Sequence, residues 1–163
     1  MSIIHQIGLS LVKNVGHITA RNLLSAFGSA EAIFQSSVSE LVTVPGVGLG
    51  IAKEIRSTGA LQEAERNLEQ LQKKQITPLF YTDVGFPRRL RECYDAPILL
   101  YYKGNADLNV SKVVSIVGTR KASAYGRLLC KQLIETLQRH QVLVVSGLAF
   151  GIDVSAHQES LNF

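Results

Sequence analysis

Two glycine-rich turns hold the residues whose types and order could do chemistry. The first, GTRKASAYG, begins at Gly118 directly after the apolar run KVVSIV, and the second, SGLAFGID, begins at Ser146 directly after VLVV. Free backbone N–H groups and the positive end of a helix dipole attract anions where a strand passes into a helix. The turns therefore predict a phosphate site, to which Arg120 and Lys121 would add positive charge.

The segments around the turns predict a parallel βαβ unit. Residues 112–117 and 142–145 are near-continuous apolar runs typical of buried strands, and residues 123–140 between them have helical spacing. A crossover of this length implies parallel strands with a right-handed connection, which brings both turns to one edge of the sheet. A helix over about 152–161 follows. Two strands would leave edges unpaired, so we expect an incomplete sheet from the front portion of a longer protein.

The helix between the strands is predicted to have one apolar face and one cationic face. Leu129, Leu133 and Leu137 recur at a spacing of four and are expected to face the core. Arg127 and Lys131 are also four apart and share another face. That pair is either a solvated surface or an added phosphate contact, and the pattern alone leaves both interpretations open.

Two common nucleotide-binding patterns are missing from the turns. A dinucleotide site needs GxGxxG in the first turn and an acidic residue at the end of the second strand, where this sequence has Ser146. The GxxxxGK[ST] pattern of a P-loop does not occur in the sequence either. We therefore expect no nicotinamide, flavin or other cofactor, and we favour a chain of phosphates as the ligand.

Upstream of these turns the sequence predicts two further segments. Residues 1–75 have the pattern of short helices joined by glycine turns, and they end in an amphipathic helix over 59–75. Residues 76–110 have strand composition at both ends and a short helical turn between, which predicts a connecting subdomain. The domain boundaries are therefore expected near residues 75 and 110, with the incomplete sheet over 111–163.

The first segment has a weak internal repeat of helix, glycine turn and helix, with one turn at Gly16 and the other at the glycine pair Gly46 and Gly48. A GxG hairpin between two helices can present backbone N–H groups to a DNA phosphate. Lys53 is one of the few basic residues near this turn. The sequence therefore allows a secondary DNA contact here but favours a structural or protein-docking role.

Composition and charge fit a globular protein that attracts a polyanion to its last third. The chain has 163 residues, of which 46% are hydrophobic, and a net charge of +4. Six basic and three acidic residues lie in 111–163, so most of the excess charge is there. No apolar run has the length of a membrane span, and we expect a cytoplasmic protein. Cys93 and Cys130 have no ligand-type neighbours at metal-site spacing, which predicts free thiols.

The two turns together resemble the signatures of a known family. SIVGTRKASAYG and VVSGLAFGIDVSAH are similar to the paired motifs of the DprA (Smf) family, and FPRRLRECYDAPILLYYKGN is similar to its upstream segment. The resemblance implies an α/β protein with an all-α SAM-like or helix-hairpin-helix domain followed by a Rossmann-like parallel-sheet domain. It also implies a non-enzymatic mediator that binds and protects single-stranded DNA and helps to load RecA recombinase in natural transformation. A homodimer is a further implication for the full-length protein.

The resemblance assigns site residues by position. The phosphate-contacting hydroxyl and arginine of the family fall on Thr119 and Arg120. Phe150 stands where many family members have arginine, which removes one phosphate partner and offers a ring for stacking. The predicted DNA- or phosphate-binding residues are Gly118, Thr119, Arg120, Lys121, Ser123, Tyr125, Gly126, Ser146, Gly147 and Gly151, with Gly46, Gly48 and Lys53 as a secondary contact.

Two other functions stay open from the residues alone. An enzyme that hydrolyses nucleotide phosphates would need a catalytic carboxylate, and Asp153 is the acidic residue near the turns. Asp153 and His157 have the spacing of a metal pair but lack a third ligand, so we predict neither a catalytic nor a metal-binding residue. In the third interpretation the chain is a protein-docking fragment that acts through its helical N-terminus.

Overall fold

A computed structural model describes residues 2–57 and 59–162. The chain divides into two compact units, residues 1–109 and 110–163. Each unit has its own cluster of buried apolar side chains, which is what a separately packed unit requires.

Short capped helices make up most of the first unit. The Ser29 hydroxyl begins one helix by accepting a hydrogen bond of 3.1 Å from the N–H of Ala32. Ser37 and Glu40 begin the next helix as a reciprocal capping box. Gly28 ends an earlier helix in the left-handed conformation, with φ 78°. Within the described residues, the helices of this part are α1 (Ile3–Leu11), α2 (His17–Phe27), α3 (Ala30–Gln35), α4 (Val38–Leu41), α5 (Leu49–Arg56) and α6 (Gly59–Lys73).

An antiparallel strand pair completes the first unit. Phe80 and Ile98 are buried in the same cluster as the helical core residues. The Arg21 guanidinium, on a helix, donates a hydrogen bond of 2.8 Å to the carbonyl O of Tyr94. Residues 76–109 of the segment predicted as a connecting subdomain thus belong to the same compact unit as the helices. Its strands are β1 (Thr77–Phe80) and β2 (Leu99–Tyr102), and α7 (Arg88–Arg91) lies between them in the chain.

The second unit is a parallel βαβ arrangement followed by a helix. Val113 pairs with Leu143 and Ser115 pairs with Val145 in parallel register, which confirms the predicted strand direction. With the helical first part of the chain, this small parallel sheet confirms the predicted α/β class. The elements are β3 (Val113–Ser115), α8 (Ala124–Arg139), β4 (Leu143–Val145) and α9 (Ile152–Ser160).

The predicted core face of α8 is wrong for two of its three leucines. Leu129 and Leu133 are each 46% exposed, whereas Leu137 packs against the buried cluster. Cys130 and Ile134 supply the buried part of that face instead. The apolar arc of α8 is wide, and the described residues of the second unit cover only the flank that contacts the strand pair and α9. Spacing shows which residues share a face, but not how much of that face finds a partner.

Candidate nucleic-acid interface

The two predicted turns lie directly against each other beyond the ends of β3 and β4. The N–H of Ile152 donates a hydrogen bond of 3.2 Å to the carbonyl O of Thr119. Gly151 has φ 91° and ψ −124°, a conformation essentially restricted to glycine. A Cβ atom at Gly151 would lie 2.1 Å from the Thr119 carbonyl O and 2.7 Å from the Arg120 carbonyl C. Glycine at this position therefore lets the two turns form one surface.

A buried carboxylate connects the two turns from below. Asp153 is 5% exposed and accepts a hydrogen bond of 3.3 Å from the N–H of Gly118. A Cβ atom at Gly147 would lie 3.1 Å from the other carboxylate oxygen of Asp153. A Cβ atom at Gly118 would lie 2.6 Å from the Cβ of Ile152. Gly118 thus allows close packing of α9, and its N–H is engaged by a carboxylate of the protein.

The hydroxyl groups of the turns fall into two kinds. The Ser123 hydroxyl caps α8 by accepting from the N–H of Gly126 at 3.1 Å, and the Thr119 hydroxyl accepts from the N–H of Lys121 at 3.2 Å. Each of these two hydroxyls still has its own hydrogen to donate to an anion. The Ser146 hydroxyl instead donates to the carbonyl O at residue 116, at 2.6 Å. Ser146 therefore holds the second turn in place.

The two turns carry exposed positive charge and backbone donors that no described protein group uses. The side chains of Arg120 and Lys121 are exposed. Among the residues that the structure describes, neither of these two cations has a salt-bridge partner within 4.0 Å. In the same described residues, the backbone N–H groups of Arg120, Gly147 and Leu148 have no hydrogen-bond partner. An anion placed here would meet both charge and hydrogen-bond donors.

Large apolar side chains are exposed around the same turns. Tyr125, in the first turn of α8, is 69% exposed, and Phe150, at the tip of the second turn, is 82% exposed. Leu148 is 70% exposed and has φ 58°, a left-handed conformation that side chains with a Cβ rarely adopt. Leu148 and Ile152 were not among the predicted site residues. The alternation of glycine and apolar residues in SGLAFGI was the available signal.

The secondary contact predicted for the first unit is a hairpin between α4 and α5. Gly46 has φ 87°, and Gly48 precedes α5 without a side-chain cap. Lys53 is exposed on α5. The Arg56 guanidinium donates to the carbonyl O of Phe34 and is therefore used within the fold. The glycine turn lies between two helices, and the positive charge around it is sparse.

Neither metal-site nor membrane features mark the described part of the chain. In residues 2–57 and 59–162, no three side chains of His, Cys, Asp or Glu are grouped as metal ligands. No helix in those ranges is both long enough and apolar enough to cross a bilayer. Cys93 and Cys130 are free thiols, one exposed and one buried.

Comparison with known proteins identifies the family of the chain. The model for DNA recombination-mediator protein A matches residues 77–163, and a helix-hairpin-helix model matches residues 7–68. The DNA processing protein DprA of Streptococcus pneumoniae is 45% identical over 79 residues, which cover 48% of this chain and 28% of that protein. Protein Smf of Synechocystis is 31% identical over 156 residues, which cover 93% of this chain and 39% of that protein.

A solved structure has the same fold over nearly the whole chain. The X-ray structure of DNA processing protein A from Streptococcus pneumoniae aligns with 99% of this chain at a TM-score of 0.64 and 26% identity. The chain spans 54% of that structure, and less than half of each curated relative just described. The predicted resemblance is confirmed, because the family model covers more than half of the residues and includes both turns. This chain belongs to the DNA recombination-mediator protein A family.

Proposed function

We propose that the two joined turns of the second unit bind the phosphates of single-stranded DNA. The observation that carries this proposal is the contact of Gly151 with the Thr119–Arg120 peptide, which joins two donor-rich turns into one exposed cationic surface. The nearby acid, Asp153, is buried and accepts a hydrogen bond from the N–H of Gly118, so its carboxylate is used within the fold. The description of the family as DNA recombination mediators supports DNA as the polyanion.

A single strand suits this surface better than a duplex does. Unpaired bases can leave the stack and contact a protein ring, whereas paired bases present only their edges. The exposed ring of Tyr125 lies on the helix turn that directly follows the cationic segment. Affinity should come mainly from phosphate contacts, with steep salt dependence and little sequence preference.

We further propose that the full-length protein protects single-stranded DNA and helps to load RecA recombinase during natural transformation. A cytoplasmic location and a homodimeric full-length protein belong to the same proposal. Membership of the family supports these roles. This chain spans 28% of one and 39% of the other curated relative compared above, so these roles of a whole protein are proposals for it.

We propose a binding role rather than a catalytic one for the turns. Hydrolysis of a nucleotide would require a carboxylate that reaches the substrate from within a pocket. Asp153 is 5% exposed and is held by the N–H of Gly118. The acid nearest the turns is therefore used within the fold, which favours binding over hydrolysis.

The test is fluorescence anisotropy of a labelled oligo-dT at several salt concentrations, with a duplex of equal length as competitor. Arg120→Ala should weaken binding and reduce the slope of log K against log salt by about 0.7, because one phosphate contact of a single strand is lost. Arg139→Ala is the matched control: it removes the same charge at the other end of α8, roughly 20 Å along the helix axis. Equal affinities and slopes for the two variants would overturn the assignment of the site to these turns.

A further inference from the structure

The side chain of Phe150 is almost unburied in the second unit. Its ring is 82% exposed, although an aromatic side chain ordinarily contributes to stability by burial. Leu148, two residues earlier in the same turn, is 70% exposed. One exposed apolar residue is ordinary on a protein surface, but two in one turn beside a cationic segment indicate a ligand with apolar parts.

Backbone hydrogen bonds hold the turn that carries this ring. Leu148 keeps a left-handed conformation with φ 58°, and such conformations persist only where the surroundings enforce them. Nearby, the N–H of Val154 donates a hydrogen bond of 3.1 Å to the carbonyl O of Ala149. The N–H of Ile152 donates one of 3.2 Å to the carbonyl O of Thr119. Phe150 therefore lies in a turn whose backbone is hydrogen-bonded both to α9 and to the first turn.

The position of the ring beside positive charge limits the class of ligand that this site could bind. Phe150 is joined directly to Gly151, which lies against the carbonyl groups of Thr119 and Arg120. A ligand bound by the Arg120 segment would thus have an apolar, planar neighbour within one residue of the site. A nucleotide unit of an unpaired strand combines an anionic phosphate with a planar base, and its base is free to stack.

We propose that Phe150 is a stacking platform for an unpaired nucleobase, and that it makes this site prefer single strands to duplex and to base-free phosphate chains. This inference rests on the proposed binding of single-stranded DNA by the turns. It assigns the two parts of the ligand to different side chains, with the phosphate on the cationic segment and the base on the Phe150 ring. Loss of the ring should then reduce affinity without changing the salt dependence.

A tryptophan reporter tests the contact directly. The chain has no tryptophan, so Phe150→Trp introduces a single indole whose emission can be excited selectively. Stacking on a base should quench this emission when oligo-dT is added. An abasic oligonucleotide of the same length and charge should leave it nearly unchanged. Equal quenching by the two oligonucleotides would overturn the proposal, because the base would then play no part.

The second part of the test compares the affinities of a variant that lacks the aromatic ring. Phe150→Ala should weaken oligo-dT binding at least about fivefold and should not change binding of the abasic oligonucleotide. Tyr94→Ala, which removes a ring that is 77% exposed in the first unit, should change neither. Because Phe150 is so exposed, the fold should tolerate its truncation, and circular dichroism can verify this.

The outcomes separate this inference from the function on which it rests. If the unmodified chain binds neither oligonucleotide, the proposed function is wrong, and the stacking role that depends on it is wrong as well. If the chain binds both with equal affinity and Phe150→Ala changes nothing, the phosphate site stands and the platform is refuted. If Phe150→Ala weakens both to the same degree, the ring shapes the turn rather than stacking on a base, which also refutes the proposal.

Discussion

Replacing Gly151 with alanine should force apart the two turns that form the candidate site. The backbone at φ 91° and ψ −124° is strained for any residue with a Cβ, at a cost of about 1–3 kcal/mol. The new Cβ would also lie 2.1 Å from the Thr119 carbonyl O, and overpacking of this kind adds about 1–3 kcal/mol. The second unit should therefore lose about 2–6 kcal/mol of unfolding free energy, a large part of the stability of a small domain.

Amide hydrogen exchange followed by mass spectrometry is the suitable assay, because it reports on the second unit separately. Gly151→Ala should speed exchange in peptides from β4 and α9 and should weaken binding of oligo-dT. Gly50→Ala is the control: a Cβ there would meet open space, on a helix of the first unit. Gly151→Ala with unchanged exchange in α9 and a stability loss below about 1 kcal/mol would refute the reasoning. The contact between the turns would then not be what holds them together.

Two further predictions test how side chains are used outside the site. In a denaturant titration, Ile134→Ala should lower the free energy of unfolding by about 2–5 kcal/mol and Leu133→Ala by less than about 1 kcal/mol. The reason is that Ile134 is 2% exposed and Leu133 is 46% exposed. The reverse order would contradict the observed orientation of α8. For Glu40, a hydrogen bond from the Ser37 hydroxyl has the largest effect and one from the Ser37 N–H the next largest, and both lower the carboxyl pKa below its usual 4.5. Its contribution to stability should be fully present above pH 4.5 and lost as the pH falls through the lower, folded-state pKa. A carboxyl titration by NMR with a midpoint at or above 4.5 would contradict this.

Local pattern was sufficient to predict most of the second unit. The apolar runs at 112–117 and 142–145 contain β3 and β4, as expected because short continuous apolar runs are typical of strands in a parallel sheet. The predicted helix 123–140 contains α8, which begins at Ala124 after the capping hydroxyl of Ser123. These signals lie within a few residues of the features that they predict, so they can be seen without a fold.

The sequence by itself determined the family, the βαβ order and the cationic turns, since each depends on residues that are close in the chain. Only the tertiary structure decided which donors and faces are in use. The N–H of Gly118 is engaged by Asp153, which lies 35 residues later. Leu129 and Leu133 stay exposed because α9 and the strand pair cover only one flank of α8. Burial and hydrogen bonding depend on which distant segments come into contact, and the spacing of residues along the chain does not show which segments these are.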